Sequence, residues 1–133
     1  GYHRILMPLT SSITLTHQGK EVVLKPFQSY FFDGGDPVSI QGTCQDFNLI
    51  YKPSYQGHMS AISPKESVTS QSRYQLIYAL CPLTLEWKKG QLYSLKTHEL
   101  LFIEQASPLQ EMTITFSPLQ SGKQPIAIWT ALR

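Results

Sequence analysis

Charge is scarce in this chain. Only 15% of its 133 residues are Asp, Glu, Lys or Arg, against about a quarter in an ordinary globular protein. Net charge is +2 and no run of five basic residues occurs; Lys88-Lys89 is only a pair. A field that weak gives no reason to expect a nucleic-acid partner. No apolar run approaches 18 residues, so no membrane span is expected. Cysteine is nearly missing too. Cys44 and Cys81 read as reduced, partly buried thiols of a cytoplasmic protein.

Clustered ligands and nucleophile motifs are missing as well. His3, His17, His58 and His98 are scattered, with no His-x-His, His-x-x-x-His or Cys-x-x-Cys. Zinc and iron sites usually leave one of those spacings in the sequence. No metal and no cofactor is therefore expected. There is no Gly-x-Ser-x-Gly and no phosphate loop. Asp33 and Asp36 flank two glycines and read as turn caps. Finally, no stretch holds a 3.6-residue apolar period, which leaves helices without support.

What remains is strand material, with Val, Ile, Thr, Tyr and Phe plentiful. A length of 133 residues fits one domain over 1–133 with a core of its own. The pattern gives about ten short strands separated by turns, an all-β sandwich or barrel. Ile13 and Leu15 share a face, as do Val22 and Leu24, around a His17-Gln18-Gly19-Lys20 hairpin turn. Val38–Gln41 and 46–52 read as strands, and Tyr74–Leu80 as a strand paired on both sides. Residues 54–73 are polar and rich in Ser and Thr, and the composition predicts a long mobile loop.

The densest stretch is Phe27–Lys52. Two apolar runs bracket Asp33-Gly34-Gly35-Asp36-Pro37. Side chains alternate across a strand, so Asp46, Asn48 and Ile50 share one face and Phe47, Leu49 and Tyr51 the other. Two readings stay open. In one, Asp46 and Asn48 face water and the aromatics fill the core. In the other, Asn48 enters a cavity as an orienting polar group. Arg4 shares a face with Leu6, and an inward Arg4 would need a carboxylate or an anionic ligand beside it.

GlyTyrHisArg at 1–4, ProPhe at 26–27, PhePheAspGlyGlyAsp at 31–36, Gly42 and AspPheAsnLeuIle at 46–50 together resemble the HutD/Ves family of cupin-like proteins. Lys52 stands where the family pattern has a basic residue. Ile50 replaces a Met, and the turn carries one more glycine than the pattern. The matching motifs span residues 1–52, and the family's front segment has no counterpart here. The resemblance implies a cupin-like β-barrel or jelly roll. It implies a metal-free protein, not an enzyme, that binds a small anionic metabolite and regulates histidine utilisation. Arg4 would meet the carboxylate, Asn48 would orient a second polar group, and Phe47 or Phe32 would supply an apolar wall. Asp46 is expected in a structural hydrogen bond at the strand entrance. A missing front segment would leave an edge to pair in a dimer or with a separate N-terminal fragment. The alternatives are an enzyme acting in the same cavity, and a sandwich module that stacks sugars on exposed Trp87 or Trp129.

Overall fold

The computed structural model describes residues 1–133, all as strands, turns and irregular chain without a helix. Every strand pair with a defined register is antiparallel. Where the sequence suggests about ten strands, fourteen form. Where it suggests one domain, the contacts fall into two units, Gly1–Gly57 and His58–Arg133.

The first unit holds β1 (His3–Pro8), β2 (Ile13–His17), β3 (Lys20–Leu24), β4 (Tyr30–Asp33), β5 (Val38–Gln41) and β6 (Asp46–Tyr51). They make two three-stranded sheets, ordered β4-β1-β6 and β3-β2-β5. The β2–β3 hairpin closes through Gln18 and Gly19, both at positive φ (52° and 80°). A two-residue turn of that sign matches the right-handed twist of its strands. Leu6, Ile13, Leu15, Leu24 and Phe32 form the core, with Val22, Tyr30, Val38 and Cys44 packed on it. Period-2 alternation puts each of these except Cys44, which precedes β6, on the face its strand turns toward the other sheet.

The second unit holds β7 (Gly57–Ile62), which starts at the boundary, β8 (Ser67–Ser70), β9 (Tyr74–Ala79), β10 (Leu83–Lys88), β11 (Gln91–Leu95), β12 (Leu100–Glu104), β13 (Met112–Pro118) and β14 (Ala127–Leu132). Its sheets are ordered β11-β10-β13-β8 and β12-β9-β14-β7. Ile62, Ile77, Leu83, Leu85, Ile114, Phe116 and Ile126 are fully buried, each contributing about 1.5–3 kcal/mol of transfer free energy. Ser72 and Thr130 are buried beside this core, and so is the polar side chain of Gln75. Its amide accepts from Trp129 Nε1 at 2.9 Å and donates to Met112 Sδ at 3.5 Å.

The expected mobile loop over 54–73 is a correction. β7 and β8 occupy half of it, and β8 pairs with β13. The hydroxyls that look like loop chemistry are cross-strand partners: Ser67 Oγ lies 2.7 Å from Thr115 Oγ1, and Thr69 Oγ1 2.9 Å from Thr113 Oγ1. Thr and Ser pairs of this kind stabilise a sheet face that water reaches. Val68, between them, turns into the core.

Candidate functional site

The candidate site is the interior of the first unit. In β1, Arg4 stands opposite Phe32 of β4 and Ile50 of β6. Leu6 stands opposite Tyr30 and Asn48, and Pro8 opposite Asp46. Directly opposed residues point to the same side of a sheet. Arg4, Leu6, Tyr30, Phe32, Asp46, Asn48 and Ile50 therefore share the face that looks onto β2.

Arg4 is the anomaly on that face. Its Nε is buried without a hydrogen-bond partner, and the side chain makes no ion pair. Leaving a buried donor unmade costs about 1–3 kcal/mol, more where the group is charged. The turn after β4 makes room for it. Gly34 N–H donates to Tyr2 O at 2.6 Å. A Cβ at position 34 would sit 2.6 Å from that carbonyl oxygen and 3.3 Å from Arg4 Nε. Only glycine lets the turn pass this close. Asp33 fixes the turn, its Oδ1 accepting from Gly35 N–H at 3.1 Å and its carbonyl from Asp36 N–H at 2.9 Å.

Opposite Arg4's face, β2 presents His17. Its Nε2 lies 2.7 Å from Asp36 Oδ2 and its Nδ1 2.7 Å from the Tyr30 hydroxyl. With the carboxylate as acceptor, Nε2 carries the proton and Nδ1 accepts from the phenol. The His17 ring also lies 6.2 Å from that of Phe32, and Tyr30 6.4 Å from Phe32. Phe32, which faces Arg4, thus joins the cation to a chain of Asp36, His17 and Tyr30. Asp36 is a turn residue, but its carboxylate serves His17. The sequence holds the signal for His17: it continues the Ile13, Leu15 alternation and so turns inward. Reading it only as a turn residue hides that.

β5 and β6 are sheet edges. Ile40 is opposite buried Leu15, and Ile50 opposite Arg4, yet they are 49% and 51% exposed. Asn48 is exposed on the same edge and its amide makes no protein hydrogen bond. Asn48 and Ile50 are thus the exposed residues of β6 on Arg4's side of the sheet.

The other expected residues are placed as follows. Phe32 is buried on Arg4's face. Phe47 is half-buried on the opposite face, level with Met7, so of the two proposed walls only Phe32 accompanies Arg4. Asp46 is exposed and its side chain makes no hydrogen bond, contrary to the structural bond expected of it. Its charge is felt instead at Cys44, whose thiol is pushed above the ordinary range first by burial and then by the Asp46 carboxylate. Leu49 and Tyr51 are buried. Burial pushes the Tyr51 hydroxyl up, partly offset by the Gly57 N–H that donates to it. Trp87 and Trp129 are half-buried and neither stands out as a flat stacking platform.

Antiparallel sheets and no helix, with polar side chains held between two three-stranded sheets, define an all-β, cupin-like protein. The HutD family model matches residues 1–118, and the chain belongs to the HutD family, which relates it to histidine utilisation. Among solved structures, it is similar to HutD from Pseudomonas fluorescens SBW25, determined in a formate condition. That match has a TM-score of 0.75 and 22% identity, over 99% of this chain and 68% of that one. It is also similar to the conserved protein of unknown function PA5104 from Pseudomonas aeruginosa PAO1, with a TM-score of 0.78 and 24% identity, over 99% of this chain and 70% of that one. No curated protein matches the sequence. No helix is long and apolar enough to cross a membrane.

Proposed function

We propose that this protein binds a small carboxylate between Arg4 and Asn48 and serves histidine utilisation as a ligand-binding regulator in the cytoplasm. The buried, unpartnered Arg4 Nε carries the reading. A guanidinium kept free of protein carboxylates has its planar fork available for a ligand's carboxylate. Asn48, exposed and without a protein partner, supplies a neutral donor and acceptor at the open edge. Free Cys44 and Cys81 fit a reducing compartment.

Calorimetric titration with formylglutamate, urocanate and glutamate tests it. At least one acid should bind the parent protein. Arg4→Ala should weaken it about ten- to a hundred-fold, because a hydrogen bond to a charged group contributes about 1.5–3 kcal/mol. Asn48→Ala should cost less, about 0.5–1.5 kcal/mol. If no acid binds, or if Arg4→Ala binds as tightly as the parent, the site is wrong.

One observation favours a second reading. The Asp36, His17, Tyr30 chain is an arrangement that can hand a proton to and from a phenol at the cavity wall. An enzyme in the same cavity would consume the bound acid, and chromatography of the titrated mixture would show the loss. Recovery of the acid unchanged supports the binding protein.

A further inference from the structure

The first unit holds a titratable group at its centre. β2 buries Ile13 and Leu15 and, by the same alternation, turns His17 toward the opposing sheet. β4 carries Tyr30 and Phe32 on one face, and both rings lie beside that of His17. His17 is held at both nitrogens, Nε2 by Asp36 Oδ2 and Nδ1 by the Tyr30 hydroxyl, each at 2.7 Å. The His17 and Asp36 side chains are only 15% and 26% exposed. Other ionisable groups around them are few. Lys20 of β3 stands opposite His17 and is exposed, and Val38 of β5 brings no charge. Arg4 of β1 stands opposite Phe32, Asp33 caps its own turn, and Cys44 packs on the same core. Asp46 lies at the far end of that face, opposite Pro8.

The bonding fixes where each proton sits. With His17 neutral and Asp36 accepting from Nε2–H, Nδ1 offers only a lone pair, and the phenol gives it its single proton. Asp36 is then an uncancelled negative charge, and Tyr30 has only lone pairs left for anything else. Both features oppose an anion in the same interior. When His17 takes a proton, both ring nitrogens donate. The imidazolium cancels Asp36. Tyr30 Oη becomes the acceptor of Nδ1–H, and its own proton is released to donate elsewhere. No heavy atom has to move.

We propose that the carboxylate site is coupled to a proton: His17 takes one up as the anion binds, and Tyr30 turns from acceptor to donor toward that anion. The inference rests on the carboxylate reading of Arg4 and adds a condition to it. Such coupling is reciprocal, so proton and anion each tighten the other's binding. Histidine is the residue type for the task, since imidazoles ordinarily change charge between about pH 5 and 8. A site built from Arg4 and Asn48 alone would hold the same carboxylate equally well throughout that range.

Formylglutamate and glutamate are the probes, because their carboxylates stay ionised from about pH 6 to about pH 8, whereas urocanate has an imidazole of its own. Calorimetric titration of the full chain in two buffers of unlike ionisation enthalpy reads the protons taken up on binding. Uptake should be fractional, below one proton per chain, and affinity should rise severalfold from about pH 8 to about pH 6. His17→Gln keeps a donor for Asp36 and should abolish the uptake and flatten the profile. His3→Gln, on the opposite face of β1, should change neither. Tyr30→Phe should weaken the acid at about pH 6 and leave it nearly unchanged at about pH 8, because only the protonated state frees the phenol. Binding without proton uptake, or equally tight across the range, overturns the coupling and leaves the Arg4 site standing. Equal losses at both pH values in Tyr30→Phe overturn the part given to the phenol. If neither acid binds at any pH this inference falls, and urocanate decides the carboxylate reading on its own.

Discussion

If Arg4 is kept free for a ligand, removing it should make the empty protein more stable. Arg4→Met keeps an unbranched apolar stem of similar reach and deletes the guanidinium. The buried Nε has no partner to lose, so nothing is left unpaired by the change. What disappears is the desolvation cost of an unsatisfied buried donor, about 1–3 kcal/mol. At this chain length each kcal/mol corresponds to about 3–6 °C in melting temperature. Urea unfolding without ligand should therefore show a higher midpoint at unchanged slope. Addition of a carboxylate that stabilises the parent should leave Arg4→Met unmoved, since stabilisation by mass action needs binding. A second variant, Arg4→Lys, keeps the charge and loses the fork, and should bind weakly without gaining the stability. The reasoning is refuted if Arg4→Met lowers the midpoint by the equivalent of 1 kcal/mol or more. That outcome would show Arg4 supporting the fold rather than waiting on a ligand.

Four further outcomes follow from the packing. Gly57→Ala would place a Cβ 2.5 Å and 2.7 Å from two carbons of the buried Tyr51 ring, so it should destabilise by about 1–3 kcal/mol. Pairing it with Tyr51→Val should return part of the loss, and a neutral Gly57→Ala in urea would contradict the contact. The raised Cys44 thiol should react slowly with iodoacetamide at pH 8, because the thiolate is the nucleophile; Asp46→Asn removes the repelling charge and should speed the reaction. For stability the sign is alkaline. Cys44, Cys81 and Tyr51 are all raised, so the stability they contribute is full below their ordinary values and lost as pH rises through the raised ones. A urea midpoint that rises with pH in that alkaline window would contradict it. Trypsin should cut first at Lys88, Lys89 or Lys123, beside turns that carry Gly90 and Gly122 at positive φ, and first cleavage at Lys65 or Arg73 would show that the β8 segment opens on its own.

Much of the first unit was legible because its signals are local. Gln18-Gly19 demands a tight hairpin, Asp33 to Pro37 demands a turn, and Val38–Gln41 emerges as β5 with the expected bounds. The shared face of Arg4 and Leu6 was readable from alternation alone, and so was the separation of Phe47 from Asn48. His17 was readable by the same rule, but its neighbours in the turn concealed it. The strands β7 and β8 were not readable. β8 is supported by Thr113 and Thr115, more than forty residues away, and β7 by its neighbour β14, and no window of local sequence contains both halves of a cross-strand pair. The division near Gly57 was hidden for a related reason. It falls inside the polar 54–73 stretch that reads as a single loop, although β7 begins there.

The two glycines of the Asp33–Asp36 turn look interchangeable on paper. At Gly34 any side chain meets the Tyr2 carbonyl, while at Gly35 a Cβ would meet nothing nearer than Asp33 Oδ1 at 3.7 Å. Mutational drift should therefore treat neighbours differently: position 34 is frozen, and position 35 is open to most residues. Added length costs least at the tip of the turn, on the tolerant side of Gly34. A deep mutational scan of this turn would map the boundary between the part of the loop that shapes the cavity and the part that only closes the chain.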